Sequence, residues 1–256
     1  MIPAVLPPLT SLTVLVTRPA PQAAVLAASI RELGGTAIVQ PAIEIRPVAA
    51  AVASGHHLVI FVSVNAVEHG ARYIEKTTGM RIAAIGKATA AALDAIDMPA
   101  DIVPDAGFDS EALLAHPDLI LPADARILIV RGSGGRELMR ETFAARGCIV
   151  EILDVYERIM PALDEQQRTE LETAWAAGAI DIATITSVET LRNLFALLTE
   201  RGRELLKDTP LVVASRRIAL AAAEMGVRAE CIVAAAADDQ SMIGALAQWH
   251  ARARLR

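Results

Sequence analysis

Short runs of apolar, β-branched residues alternate along the chain with longer Ala-rich stretches of helical period. Leu12-Thr13-Val14-Leu15-Val16 reads as a strand, Ala20 to Leu33 as a helix stopped by Gly34-Gly35, and Ala37-Ile38-Val39 as the next strand. Further strand–helix units begin at Leu58-Val59-Ile60-Phe61-Val62, Arg81 to Ile85, Ile127 to Val130, Ile180 to Ile185 and Leu211-Val212-Val213. Continuous apolar strands separated by helices predict parallel sheets covered on both faces, hence an α/β fold. Two segments differ. Ile43 to Pro47 and Ile152 to Ile159 alternate apolar and polar at period two and end near Pro47 and Pro161. That pattern predicts half-exposed strands suited to a two-stranded connector rather than to a doubly covered sheet.

The order of units repeats. Arg18 and Gly34 align with Arg131 and Gly147, 113 positions on. Ser63-Val64-Asn65-Ala66-Val67 recurs as Ser187-Val188-Glu189-Thr190-Leu191, and Gly86 to Ala90 as Ser215 to Ala219. Two similar α/β halves arising by duplication are the simplest account, with chance likeness between β-α units as its competitor. Periodicity alone puts the boundary near residue 125.

Composition narrows the class. Apolar residues are 54% of 256, above the roughly 45–50% of ordinary globular chains, which excludes disorder. No apolar stretch approaches the ~18 residues of a membrane span. Lys and Arg number 24 against 30 Asp and Glu, so binding to nucleic acid through bulk positive charge is excluded. Cys148 and Cys231 sit beside β-branched residues with no metal-ligand spacing, and read as buried strand positions. Met1 to Pro8 lacks a basic, then apolar leader pattern, so the cytoplasm is the expected compartment.

Familiar catalytic motifs are missing. Gly132-Ser133-Gly134-Gly135-Arg136-Glu137 opens a helix after a strand, but Glu137 stands where a dinucleotide loop needs its third glycine. There is no P-loop, no H-E-x-x-H and no G-x-S-x-G. The five histidines form no ligand set, so neither metal nor cofactor is expected. What remains is six strand-to-helix turns rich in hydroxyls and cations. They are Thr17-Arg18-Pro19, Ser63-Val64-Asn65, Gly86-Lys87-Ala88-Thr89, Arg131 to Arg136, Thr186-Ser187 and Ser215-Arg216-Arg217. Any one could be a helix cap. Together, at the carboxyl edge of parallel sheets, they point to a site for an anion bearing several carboxylates or phosphates.

These residues resemble the uroporphyrinogen-III synthase family over nearly the whole chain. The likeness runs from Val16-Thr17-Arg18-Pro19 through Phe61 to Val67, Ala84 to Ala90, Gly107-Phe108-Asp109-Ser110-Glu111-Ala112-Leu113-Leu114, Arg131-Gly132 with Gly135-Arg136-Glu137-Leu138, and Val155-Tyr156. One departure is Ser215-Arg216-Arg217-Ile218-Ala219, where many members carry Gly-Pro-Thr-Thr-Ala. The resemblance implies two similar parallel-sheet, flavodoxin-like α/β domains joined by a two-stranded antiparallel β-ladder linker, with the active site in a cleft. It places residues 1–42 with 161–256 in one domain and 48–151 in the other, with 43–47 and 152–160 as linker.

The reaction it implies is a cyclising lyase step of tetrapyrrole (haem, sirohaem or cobalamin) biosynthesis. Linear hydroxymethylbilane becomes uroporphyrinogen III with loss of water and inversion of ring D. The substrate ionises and closes unaided to the wrong isomer, so the enzyme's task is chiefly positioning. The resemblance makes Tyr156 the catalytic proton donor, since a phenol stays protonated at neutral pH. Without the family it would read as a half-buried ribbon residue, and Tyr73, expected in the helix after Ser63, looks structural. Eight substrate carboxylates then call for Arg18, Lys87, Arg131, Arg136, Arg216 and Arg217, with Ser63, Asn65, Gly86, Gly132, Ser187 and Ser215 as further substrate-binding positions. Arg46 and Arg158 are weaker candidates. The resemblance also implies a monomer that binds neither nucleic acid nor membrane, and it leaves open a transient contact with porphobilinogen deaminase. Two other classes compete. One is a two-lobed small-anion-binding protein without turnover. The other is a flavodoxin-like interaction module, disfavoured because no acidic phosphoacceptor cluster stands at the strand ends.

Overall fold

A computed structural model describes residues 7–107, 109–135 and 137–255. The chain divides into two compact units, residues 1–44 with 159–256, and residues 45–158. The first contains β1 (Thr13–Val16), α1 (Ala20–Glu32), β2 (Thr36–Val39) and the start of β3 (Glu44–Pro47). The second continues with β4 (Leu58–Phe61), α2 (Val64–Gly70), β5 (Arg81–Ala84), α3 (Lys87–Asp94), α4 (Ser110–Leu114), β6 (Arg126–Gly132), α5 (Leu138–Ala145) and β7 (Ile149–Ile159). The chain then completes the first unit with α6 (Glu165–Ala176), β8 (Ile182–Ile185), α7 (Val188–Leu197), α8 (Glu200–Lys207), β9 (Leu211–Val213), α9 (Arg216–Glu224), β10 (Cys231–Val233) and α10 (Asp239–Ala253).

Each unit is built on one sheet with both faces buried. The first sheet has the order β10-β9-β8-β1-β2, every pair parallel. Leu15, Ala183, Ile185, Leu211 and Val213 pack into one apolar cluster with Leu171, Trp175 and Leu194, while Val14, Val16, Ile182 and Val212 join Leu26, Ile30 and Leu246 in the other. The second sheet has the order β3-β7-β6-β4-β5, parallel from β7 to β5. Leu58, Ile60, Ile127 and Ile129 bury against Phe143 and Leu113 on one face, and Val59, Phe61, Leu128 and Val130 against Ala66, Val67 and Leu93 on the other. Two-faced burial is why these strands carry no polar alternation.

The internal repeat holds at the level of elements. β2-β1-β8-β9-β10 in the first unit corresponds to β7-β6-β4-β5 in the second, where an isolated parallel bridge from Ala83 to Ile102 occupies the last place. Gly34 and Gly147 follow equivalent helices with φ of +84° and +85°, a left-handed turn that favours glycine.

Four expectations need correction. Residues 152–156 are not apart from the parallel sheet: β7 begins at Ile149 and pairs with β6 as far as Tyr156, while β3 lies on its other side. The strand of the Ile180 run begins at Ile182, and Tyr73 lies in a single 3₁₀ turn rather than in the helix after Ser63. Cys231 is only half-buried, although burial still raises its thiol above the usual range. Among the described residues, no helix is long and apolar enough to cross a membrane.

Candidate active site

All six hydroxyl- and cation-rich turns leave the carboxyl ends of parallel strands. Thr17-Arg18, Thr186-Ser187 and Ser215 follow β1, β8 and β9, while Ser63, Gly86 and Arg131-Gly132 stand at the ends of β4, β5 and β6. Arg136 lies outside the described residues.

In the second unit the structure brings Tyr156, Ser63 and Gly132 together. Tyr156 is 4% exposed, and its Oη lies 3.1 Å from Ser63 Oγ. Ser63 is the N-cap of α2, its Oγ accepting the Ala66 N–H at 3.0 Å. A Cβ built on Gly132 would stand 2.5 Å from Tyr156 Cε2 and Cζ, so only glycine leaves room for the ring. The His69 ring on α2 lies 6.1 Å from the Tyr156 ring, centroid to centroid.

The burial of Tyr156 depends on a bulge. Arg131 pairs with Asp154, but Gly132 pairs with Tyr156, so Val155 is an extra residue in β7. Strand side chains normally alternate between faces. The inserted residue lets Val155 and Tyr156, neighbours in sequence, both enter the cluster containing Val130 and Phe61. The half-exposed ribbon expected from period two is therefore interrupted at Val155 and Tyr156 and resumes over residues 157–159, and Tyr156 is a core residue with a polar tip.

Several predicted anion-binding cations already hold carboxylates. Arg131 pairs with Glu137 at 2.9 Å and Asp154 at 3.1 Å and donates to the Gly135 carbonyl at 3.2 Å. Arg131, and then Arg140, hold the Glu137 carboxyl below its ordinary range. Arg131 also lines a recess of about 260 Å³ with Arg158, Asp109, Ser110, Val62 and Ile85. Arg18 is paired with Asp239 at the start of α10, and Arg46 with Glu157 at 3.6 Å. Sequence reasoning missed Asp154, Glu137 and Asp239 because each meets its arginine only through the fold. Asp154, two residues before Tyr156 in a strand expected to pair, was the one detectable signal.

Lys87, Arg216 and Arg217 are different. All three are exposed, and none makes an ion pair among the described residues. Lys87 opens α3 after Gly86, and Arg216 and Arg217 open α9 after Ser215; neither N-cap supplies a capping side chain. In α9 the Ile218 N–H donates to the Ser215 carbonyl at 3.0 Å, which leaves the N–H groups of Arg216 and Arg217, and those that open α3, as the ones a helix does not itself pair. Ser187 instead caps α7 through Thr190 N at 2.9 Å, and Asn65 sits in the first turn of α2.

A family model described as uroporphyrinogen-III synthase HemD matches residues 24–244. The uroporphyrinogen-III synthase of Salmonella typhimurium is 32% identical over 258 residues, spanning 92% of this chain and 100% of that protein. The uroporphyrinogen-III synthase of Escherichia coli is 32% identical over 252 residues, with the same two coverages of 92% and 100%. A solved structure of a mutant uroporphyrinogen III synthase from Thermus thermophilus shares the fold, with a TM-score of 0.60 at 19% identity over 95% of this chain and 100% of that one.

Proposed function

The chain belongs to the uroporphyrinogen-III synthase HemD family of cyclising lyases, and from that premise we propose how its residues close linear hydroxymethylbilane into uroporphyrinogen III. The ring-A hydroxymethyl group leaves as water, pushed by the pyrrole nitrogen lone pair. Tyr156 Oη gives the departing oxygen its proton. The resulting azafulvene is attacked by the substituted carbon of ring D. The spiro intermediate then fragments and recloses with that ring inverted, and the proton released on rearomatisation returns to the phenolate. No proton is consumed, so one acid that recovers its proton suffices.

The observation that carries this assignment is the placement of Tyr156: a buried ring with its hydroxyl hydrogen-bonded to Ser63, beside the turn that ends β6. A weak acid so held can act once the substrate is oriented, and orientation supplies most of the selectivity. Lys87, Arg216 and Arg217, with the uncapped N–H groups that follow Gly86 and Ser215, are the proposed carboxylate subsites. Arg18 and Arg131 would take substrate carboxylates only by exchanging the carboxylates they already hold, so their contribution is smaller.

The test is steady-state turnover of hydroxymethylbilane by Arg216→Ala. Loss of an exposed carboxylate contact should raise KM several-fold and leave kcat within about twofold. A fall in kcat at constant KM contradicts the carboxylate assignment. Binding of the bilane without any turnover by the unaltered protein would instead favour an anion-binding protein.

A further inference from the structure

We propose that Ser63 is a positioning residue for Tyr156 rather than a ligand of the substrate, an inference that rests on the reading of Tyr156 as proton donor. Ser63 Oγ is held from two sides, by Ala66 N–H at 3.0 Å and by Tyr156 Oη at 3.1 Å. Either hydroxyl can donate across the 3.1 Å contact, and the proposal takes Ser63 as the donor: its Oγ accepts the Ala66 N–H and gives its own proton to the phenol oxygen. The phenol's own proton is then left to point at the substrate. Accepting from the amide also makes Ser63 the stronger donor, so it steadies the phenolate that remains once the proton has left.

The first unit contains an internal control. Ser187 is the equivalent cap of α7, but its Oγ also pairs with Thr190 Oγ1 at 2.8 Å. The residue equivalent to Thr190 is Ala66, which has no hydroxyl. The serine of the second unit therefore spends on Tyr156 the hydrogen bond that its counterpart spends within the cap. Two glycines make the reach possible. Gly132 leaves space for the ring, and Gly70 lets α2 lie so close to β6 that an added Cβ would stand 2.4 Å from Val130 Cγ1.

The experiment is steady-state kinetics of isomer III formation for wild type, Ser63→Ala, Ser63→Thr, Ser63→Asp, Tyr156→Phe and the Ser63→Ala/Tyr156→Phe pair, with thermal melts of each. Ser63→Ala should lower kcat roughly fivefold or more, the worth of one net hydrogen bond, with KM nearly unchanged. Ser63→Thr, which keeps both the cap and the donor, should restore kcat. Ser63→Asp caps the helix but donates nothing, so it should melt near wild type and remain slow. In the Tyr156→Phe background, Ser63→Ala should cost little more. The proposal is overturned if KM rises instead of kcat falling, if Asp restores the rate, or if the full loss persists without the phenol. Failure of the underlying reading shows separately: Tyr156→Phe alone would then leave kcat intact, and the positioning role falls with it.

Discussion

Tyr156→Phe is expected to slow formation of isomer III at least tenfold, about 1.4 kcal/mol of barrier, in a coupled assay with porphobilinogen deaminase supplying the bilane. Phenylalanine keeps the ring in the space that Gly132 leaves and within the same apolar cluster. The substitution removes one hydroxyl, and Ser63 retains its capping bond to Ala66 N–H. The stability cost is therefore one net hydrogen bond, about 1 kcal/mol, and the protein stays folded. Activity that remains reflects positioning, because the leaving hydroxyl can depart slowly without an acid. Unchanged turnover would remove Tyr156 from the chemistry.

Gly70→Ala should have the largest effect on stability. In an ordinary helix this substitution helps by up to about 1 kcal/mol. Here the new Cβ would meet Val130 Cγ1 at 2.4 Å and the Val155 methyls at 3.2 and 3.3 Å. Both valines are fully buried and have few rotamers with which to give way. Helix α2 must move off the sheet, and overpacking of this kind costs about 1–3 kcal/mol. Ser63 heads the same helix, so its bond to Tyr156 should stretch and kcat should fall with the urea midpoint. A variant as stable as wild type would show that α2 does not press on β6 in this way.

The architecture was legible because it is written in local patterns. β4 (Leu-Val-Ile-Phe) is buried at every position, as an unbroken apolar run requires, and so is β8 (Ile-Ala-Thr-Ile), whose one hydroxyl, on Thr184, donates to the Leu15 carbonyl at 3.3 Å. The equivalence of Gly34 with Gly147 was visible because a left-handed turn after a helix leaves a glycine. The site was legible only in part. Period two suggested a half-buried Tyr156, but a bulge at Val155 resets the alternation and buries it fully, and a bulge is decided by the pairing of β7 with β6. The arginines of the turns read as open cations. Only the fold sets Asp239 beside Arg18, and Asp154 and Glu137 beside Arg131. Lys87, Arg216 and Arg217 lead helices without capping side chains, an arrangement a sequence can suggest but not distinguish from a capped one.

The most direct test supplies purified protein with hydroxymethylbilane, oxidises the product and separates the uroporphyrin isomers. Closure with ring D inverted predicts isomer III in large excess over the spontaneous isomer I. A product consisting of the symmetric isomer alone would contradict it.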